Sequence, residues 1–187
     1  MDLAPEAPGT ESDSRWLFHG RIIQLSIDRV RLPNGEMAEL EIVHHPGGAA
    51  VVALDEADRV CLLRQFRHAA GGWLWELPAG KIDGGEDPQT TAWRELEEEA
   101  GVAAARWVPL GGVISSPGIF TEVVYLYLAQ DLRPLAHHHE RHEVIAIHWL
   151  PLTEALAWAE RGEIADGKTL VGLFRAAAHL KQIGTSG

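Results

Sequence analysis

The chain has 187 residues, enough for one full-sized domain and too few for two. Sixteen Lys and Arg against 27 Asp and Glu leave a net charge of −11, and 46% of the residues are hydrophobic. That composition excludes a disordered chain, and the acidic balance offers no electrostatic footprint for nucleic acid or an anionic membrane. An anionic substrate would therefore need a positive charge between itself and the protein, with a divalent cation as the first candidate. The single cysteine, Cys61, forms no internal disulfide, and the start Met-Asp-Leu-Ala-Pro-Glu lacks the features of a signal peptide. No run approaches ~18 apolar residues, so the expectation is a cytoplasmic protein without a membrane span.

Residues 1–13 are rich in Pro, Glu, Ser, Asp and Gly and read as a disordered tail. Residues 14–47 read as a small β-arm: Arg21–Val30 is β-rich, and Pro33-Asn34-Gly35 turns it into Met37–His44. Residues 48–187 form the main domain. Strands are predicted at Ala49–Leu54, Val60–Arg67 and Trp73–Leu77, followed by a loop holding Pro78, Gly80, Gly84 and Gly85. Asp87 as N-cap, Pro88 in the first turn and Gly101 as the stop delimit a helix. Arg106–Ile114, Glu122–Gln130 and Val144–Leu150 read as further strands, and helices over Thr153–Arg161 and Lys168–Gln182 close the chain. This order suits an α/β fold, a mixed sheet packed between helices as an α/β/α sandwich.

The central helix breaks a rule. Its second half carries Arg94-Glu95-Leu96-Glu97-Glu98-Glu99, where the carbonyl end of the helix dipole repels carboxylates. At ~100° per residue, Glu98 and Glu99 fall within about 60° of Glu95, so three acids share one face while Glu97 points away. A solvated acidic face and a divalent-cation site both fit this pattern. Clustered carboxylates on a rigid element are the hard oxygen ligands that Mg²⁺ or Mn²⁺ prefers.

Gly80, five residues, Glu86, seven residues, then Arg94-Glu95-Leu96-Glu97-Glu98-Glu99-Ala100-Gly101-Val102 matches every fixed position of the 23-residue Nudix box. The chain resembles a Nudix hydrolase from about residue 16 to 182. The resemblance implies a loop–helix–loop box in an α/β/α sandwich, and hydrolysis of nucleoside diphosphates linked to another moiety with Mg²⁺ or Mn²⁺. It implies Glu95, Glu98, Glu99 and the backbone carbonyl of Ala79 as metal ligands. Gly80, Glu86, Arg94 and Gly101 would support the box and orient the carboxylates.

Pro117, 15 residues beyond Val102, resembles the marker of the ADP-ribose pyrophosphatase group, as do Leu63–Arg67 and Trp75–Gly80. Taken alone, Ser116-Pro117-Gly118 is equally an ordinary turn. After the proline this chain carries Ile119-Phe120-Thr121-Glu122, where the group is more polar, so GDP-mannose or another sugar nucleotide stands as the alternative substrate. The group likeness also implies a homodimer joined through the arm. Glu143, with Glu140 second, matches the acid that activates the attacking water. The neighbouring histidines 137–139 read as a solvated loop, because adjacent rings do not converge on one ion. Trp16 and Phe18 are candidates to stack on the base, and Arg64, Arg67, Glu76, Pro117 and Gly118 to contact substrate. Most of the seven tryptophans read as core or interface residues. The expected reaction is cleavage of ADP-ribose, or a related nucleoside diphosphate sugar, to AMP and ribose 5-phosphate. The rival class is a non-catalytic nucleotide sensor, which typically lacks the box carboxylates kept here.

Overall fold

The computed structural model describes residues 13–135 and 145–184. Among these, the chain forms two compact units: residues 13–47 with 114–123, and residues 48–113 with the described part of 124–184.

The first unit is built on three antiparallel strands, β1 (Asp13–His19), β2 (Gln24–Arg31) and β3 (Met37–His44), in the order β1-β2-β3. Asp13, the last residue of the expected tail, already belongs to β1. The expected strand at Arg21 starts only at Gln24, because residues 20–23 make the turn closed by the Gly20 N–H on the Ile23 carbonyl at 2.9 Å. The turn at Pro33-Asn34-Gly35 forms where its residues demand it: the Gly35 N–H donates to the Leu32 carbonyl, and Asn34 Oδ1 accepts the Glu36 N–H. Val43 exchanges backbone hydrogen bonds with Ile119 and Thr121, which draws residues 114–123 into this unit. Ser26, His44 and Asp28 also meet here, but Ser26 Oγ gives its proton to Asp28 at 2.7 Å, so His44 Nε2 must donate to it. A base that donates to the hydroxyl activates no nucleophile.

In the second unit β4 (Gly48–Ala53) lies parallel to β9 (Val123–Pro134) and antiparallel to β7 (Ala79–Lys81), giving the sheet β7-β4-β9-β8 with β8 (Val102–Ile114). A second sheet, β10-β5-β6, joins β10 (Ile145–Pro151), β5 (Arg59–Arg67) and β6 (Gly72–Glu76) in antiparallel register. Every residue of β4 is buried. A strand alternates its faces, and β4 and β5 show it. Ala49, Val51, Ala53, Cys61 and Leu63 pack with Ala92, Leu96 and Ala100 of α1 (Pro88–Ala100). Ala50, Val52, Val60 and Leu62 pack instead with Ala155 of α2 (Leu152–Glu160) and with Leu173 and Ala176 of α3 (Gly167–Gly184). Helices on both faces of sheet make the expected α/β/α sandwich.

Helix α1 starts and stops where the sequence says. Asp87 accepts the Gln89 N–H at 3.0 Å, Pro88 opens the first turn, and Gly101 takes the left-handed φ of 66° that its N–H needs to reach the Glu97 carbonyl. Two differences matter. Ala79–Lys81, expected in a loop, is the edge strand β7, and β8 begins at Val102 rather than Arg106. Four of the seven tryptophans take the expected core role: Trp75 and Trp158 pack against one core cluster and Trp107 and Trp149 against the other, each half-buried, whereas Trp16, Trp73 and Trp93 are exposed.

Candidate active site

The acids of α1 meet β7. Strand β7 pairs Ala79 with Ala50 and Gly80 with Ala49, and this fixes its backbone against the buried centre of the sheet. Glu99, 4% exposed, accepts the Ala79 N–H at 2.7 Å on one carboxylate oxygen and the Gln65 side-chain amide at 3.2 Å on the other. Glu95 lies against Gly80 so closely that a Cβ there would overlap its carboxylate. Glu98 is 46% exposed, and Glu97 points to solvent, as the helical spacing predicts.

Arg94 ties this face together. Its Nη1 reaches Glu95 Oε1 at 2.5 Å and Glu98 Oε2 at 3.2 Å, while Nη2 reaches Glu86 Oε2 and the Lys81 carbonyl, each at 3.2 Å. Glu86 also accepts the Thr91 hydroxyl at 2.8 Å. Hydrogen bonds from Arg94 and Thr91 hold the Glu86 carboxyl below its ordinary range. The Arg94 guanidinium, surrounded by acids, is held more firmly protonated despite its partial burial. Lys81 and Asp83 pair across the same loop. Behind the site, burial and then the charge of Glu99 push the Cys61 thiol up to about 12, which leaves it an inert core residue.

The donor set fits a hard divalent cation: the acids of this face offer carboxylate oxygens, and Gly80 leaves Glu95 the room that any side chain would fill. Among the described residues, no three His, Cys, Asp or Glu side chains already converge as a metal cluster. Arg94, Ala79 and Gln65 hold the oxygens in this arrangement.

A second charged cluster lies at the end of β6. Glu76, 2% exposed, receives a fork from Arg67, Nε to Oε1 at 2.8 Å and Nη2 to Oε2 at 3.0 Å, and Lys168 Nζ at 2.6 Å. Burial works to raise its carboxyl, but the Arg67 hydrogen bonds and the charge of Lys168 prevail and hold it below the ordinary range. Glu76, expected at the substrate, spends both oxygens on these two cations.

The two candidate arginines have different surroundings. Three positions apart on β5, they lie on opposite faces: Arg67 shares the α1 side with Gln65, whereas Arg64 stacks over Trp75 at 5.0 Å, beside Trp158 of α2. Trp16 and Phe18 are 45% and 53% exposed on β1, with the Trp16 ring 4.8 Å from that of His44. Pro117 and Gly118 are exposed in the turn where Ile119 and Phe120 donate to the Ser116 carbonyl. Glu140 and Glu143 lie outside the described residues. Sequence reasoning missed Gln65 and Lys168. Each carried a signal: Gln65 is polar within an apolar strand, and Lys168 puts a cation at the helix end whose dipole disfavours it.

Among the described residues no helix is long and apolar enough to cross a membrane. The NUDIX domain model matches residues 44–170. The chain is 40% identical over 166 residues to an ADP-ribose pyrophosphatase of Mycobacterium tuberculosis, covering 86% of this chain and 79% of that one. It is 37% identical over 155 residues to an ADP-ribose pyrophosphatase of Bacillus subtilis, covering 82% and 84%. It is also 37% identical over 159 residues to a methanol dehydrogenase activator of Bacillus methanolicus, covering 84% and 86%. The solved structure of an ADP compounds hydrolase shares the fold, with a TM-score of 0.80 at 22% identity over 94% of this chain and 96% of that chain. With the box carboxylates set on α1 against β7 and the domain model spanning most of its length, the chain belongs to the Nudix hydrolase family.

Proposed function

We propose that the chain is a divalent-metal-dependent pyrophosphatase that splits ADP-ribose, or a closely related nucleoside diphosphate sugar, into AMP and ribose 5-phosphate. The observation that carries this reading is the pair of carboxylates fixed at β7: Glu99 buried on the Ala79 N–H, and Glu95 against a glycine that leaves it room. The names of the Mycobacterium tuberculosis and Bacillus subtilis relatives support the substrate.

Glu95, Glu98, Glu99 and the Ala79 carbonyl are the proposed holders of Mg²⁺ or Mn²⁺. Such a cation, when bound, stabilises charge on the phosphate oxygens and lowers the pKa of water. Glu86 and Arg94 keep the carboxylates aimed. Of the two β5 arginines, Arg67 is the proposed diphosphate contact, because it shares the face on which Gln65 meets Glu99. Trp16 and Phe18 offer flat apolar surface to a base, Pro117 and Gly118 shape the turn beside a ligand, and Glu143 or Glu140 takes the proton of the attacking water. The exposed apolar residues of the arm support a homodimer, and a chain with one buried cysteine needs no oxidising compartment, in keeping with the proposed cytoplasmic location.

GDP-mannose hydrolysis is the second reading, favoured by the apolar Ile119 and Phe120 after Pro117. The experiment is a panel of ADP-ribose, GDP-mannose, ADP-glucose, NADH and diadenosine polyphosphates, each assayed with Mg²⁺ and with Mn²⁺. Fastest turnover of ADP-ribose supports the first reading, and fastest turnover of GDP-mannose replaces it with the second. Binding without turnover of any member would make the chain a sensor.

A further inference from the structure

We infer that Lys168, in the first turn of α3, is a positioning residue for the diphosphate of the substrate: it fixes Glu76, which in turn holds the guanidinium of Arg67. The inference rests on the reading of Arg67 as the diphosphate contact.

The cluster is built from both ends. From β6, the two oxygens of the buried Glu76 carboxylate take the Arg67 fork, which sets the plane of the guanidinium as well as its distance. From α3, Lys168 Nζ bridges Glu76 Oε2 at 2.6 Å and Asp166 Oδ2 at 3.1 Å. Asp166 is itself locked, because it accepts the Thr169 N–H at 3.0 Å and the Thr169 hydroxyl at 2.6 Å. That hydroxyl accepts the Leu77 N–H at 2.9 Å, one residue beyond Glu76. The end of β6 is therefore tied to α3 by a side chain at residue 76 and by the backbone at residue 77. Both ties lie just before Ala79 and Gly80, which meet the carboxylates of α1.

Helix stability does not explain this lysine. A cation in the first turn opposes the dipole, and Lys168 is mostly buried. Its charge has a use in the cluster. Arg67 paired with Glu76 alone would present an approaching anion with no net charge, and Asp166 would add a negative one. Lys168 lifts the sum of the four groups from −1 to zero, so the cluster does not repel a diphosphate as a whole, and the half-exposed Arg67 guanidinium is the charge nearest to solvent while its geometry stays fixed. Arg67 remains 43% exposed, with Glu76 buried beneath it.

The test compares wild type, Lys168→Met and Lys168→Arg by steady-state kinetics with ADP-ribose, by titration with inorganic pyrophosphate, and by the side-chain Nε–H resonance of Arg67. Lys168→Met is expected to raise KM roughly ten-fold, a loss of binding, and to change kcat less than about three-fold. It should weaken pyrophosphate binding to a similar degree and shift or broaden the Arg67 resonance. Lys168→Arg should recover most of each effect. A variant that melts earlier yet keeps wild-type KM, pyrophosphate affinity and Arg67 resonance would make Lys168 structural only and overturn the inference. If Lys168→Met does not fold, the double variant Glu76→Gln/Lys168→Met removes the stranded charge, and wild-type KM and pyrophosphate affinity there would overturn it equally. Should wild type leave ADP-ribose intact, the proposed reaction falls, while pyrophosphate binding and the Arg67 resonance still decide the role of Lys168.

Discussion

Gly80 and Glu95 occupy each other's space: a Cβ on residue 80 would fall on the carboxylate of residue 95. Only the flexible end of a glutamate stands in the way, so Gly80→Ala is expected to fold, at a cost under about 2 kcal/mol. The glutamate must turn aside to admit the methyl group. The expected outcome is a large loss of Mn²⁺ affinity by calorimetry, together with lost turnover and a urea midpoint lowered by no more than about 1–2 M. Wild-type Mn²⁺ affinity in this variant would remove Glu95 from the ligand set.

Glu99 separates charge from hydrogen bonding. Its oxygens accept from Ala79 N–H and from the Gln65 amide. In Glu99→Gln the new oxygen can keep the Ala79 bond, and Gln65 can turn its own amide over to accept from the new NH₂ group. The fold should therefore shift by no more than about 1 kcal/mol, while turnover falls by orders of magnitude. Glu99→Leu strands the Ala79 N–H as well and should cost about 1–3 kcal/mol. Thermal melts of the metal-free proteins check the first pair of numbers, and a Glu99→Gln enzyme with near-wild-type rate at saturating Mg²⁺ would contradict the role.

What the sequence made legible was local. Asp87, Pro88 and Gly101 mark the ends of α1 by their own chemistry, and helical spacing separates Glu95, Glu98 and Glu99 from Glu97. What stayed hidden depends on distant partners. Ala79-Gly80-Lys81 has no alternation of its own and becomes a strand only by pairing with Gly48–Ala50. The union of residues 114–123 with the arm rests on backbone bonds between Val43 and Ile119. Arg64 and Arg67 looked equivalent as a pair, yet the two-residue period of a strand sends them to opposite faces. Lys168 broke the same dipole rule that exposed the acids of α1, but its partner is 92 residues away.

The acid limb of stability should report Glu76. Its carboxyl is depressed in the folded state, since the cations of Arg67 and Lys168 outweigh burial. The unfolded chain then binds this proton at higher pH than the folded one, so stability from this group is present above the ordinary glutamate pKa of about 4.3 and is lost as pH falls through the folded value. Removing one partner of a buried pair typically costs about 3–5 kcal/mol, so Glu76→Ala should be severely destabilised at neutral pH. Its midpoint should also change less than that of wild type between pH 5 and pH 3. Denaturant melts across that interval measure both, and parallel acid limbs would refute the assignment.

The arm offers a surface fit for a second copy. Trp16, Leu17, Phe18, Ile22, Met37 and Leu40 are all exposed on or between its three strands, a concentration of apolar side chains that a monomer rarely leaves in water. Deleting residues 1–45 is expected to yield monomers with weakened substrate affinity, measured by sedimentation velocity and by KM. A full-length chain that sediments as a monomer at micromolar concentration would count decisively against the dimer.

The proposed general base, Glu143 or Glu140, lies outside the described residues. Glu143 lies two residues before β10, whose start at Ile145 pairs with Gln65, the same residue whose amide holds Glu99. That pairing brings the chain at residue 145 to the α1 carboxylates through one shared neighbour, and Glu140 is three residues farther along. A general base contributes typically ~10²–10⁴-fold, less than the loss of the metal ligands should cost. Glu143→Gln is accordingly expected to lower kcat within that window, with KM and Mn²⁺ affinity nearly unchanged, and Glu140→Gln to do much less. The pH–rate profile supplies a second check, since the acidic limb of kcat should disappear when the base is removed. If Glu140→Gln is the more damaging change, the register is three residues off. If both variants keep wild-type kcat, no acid of this segment takes the proton, and the role returns to the carboxylates of α1.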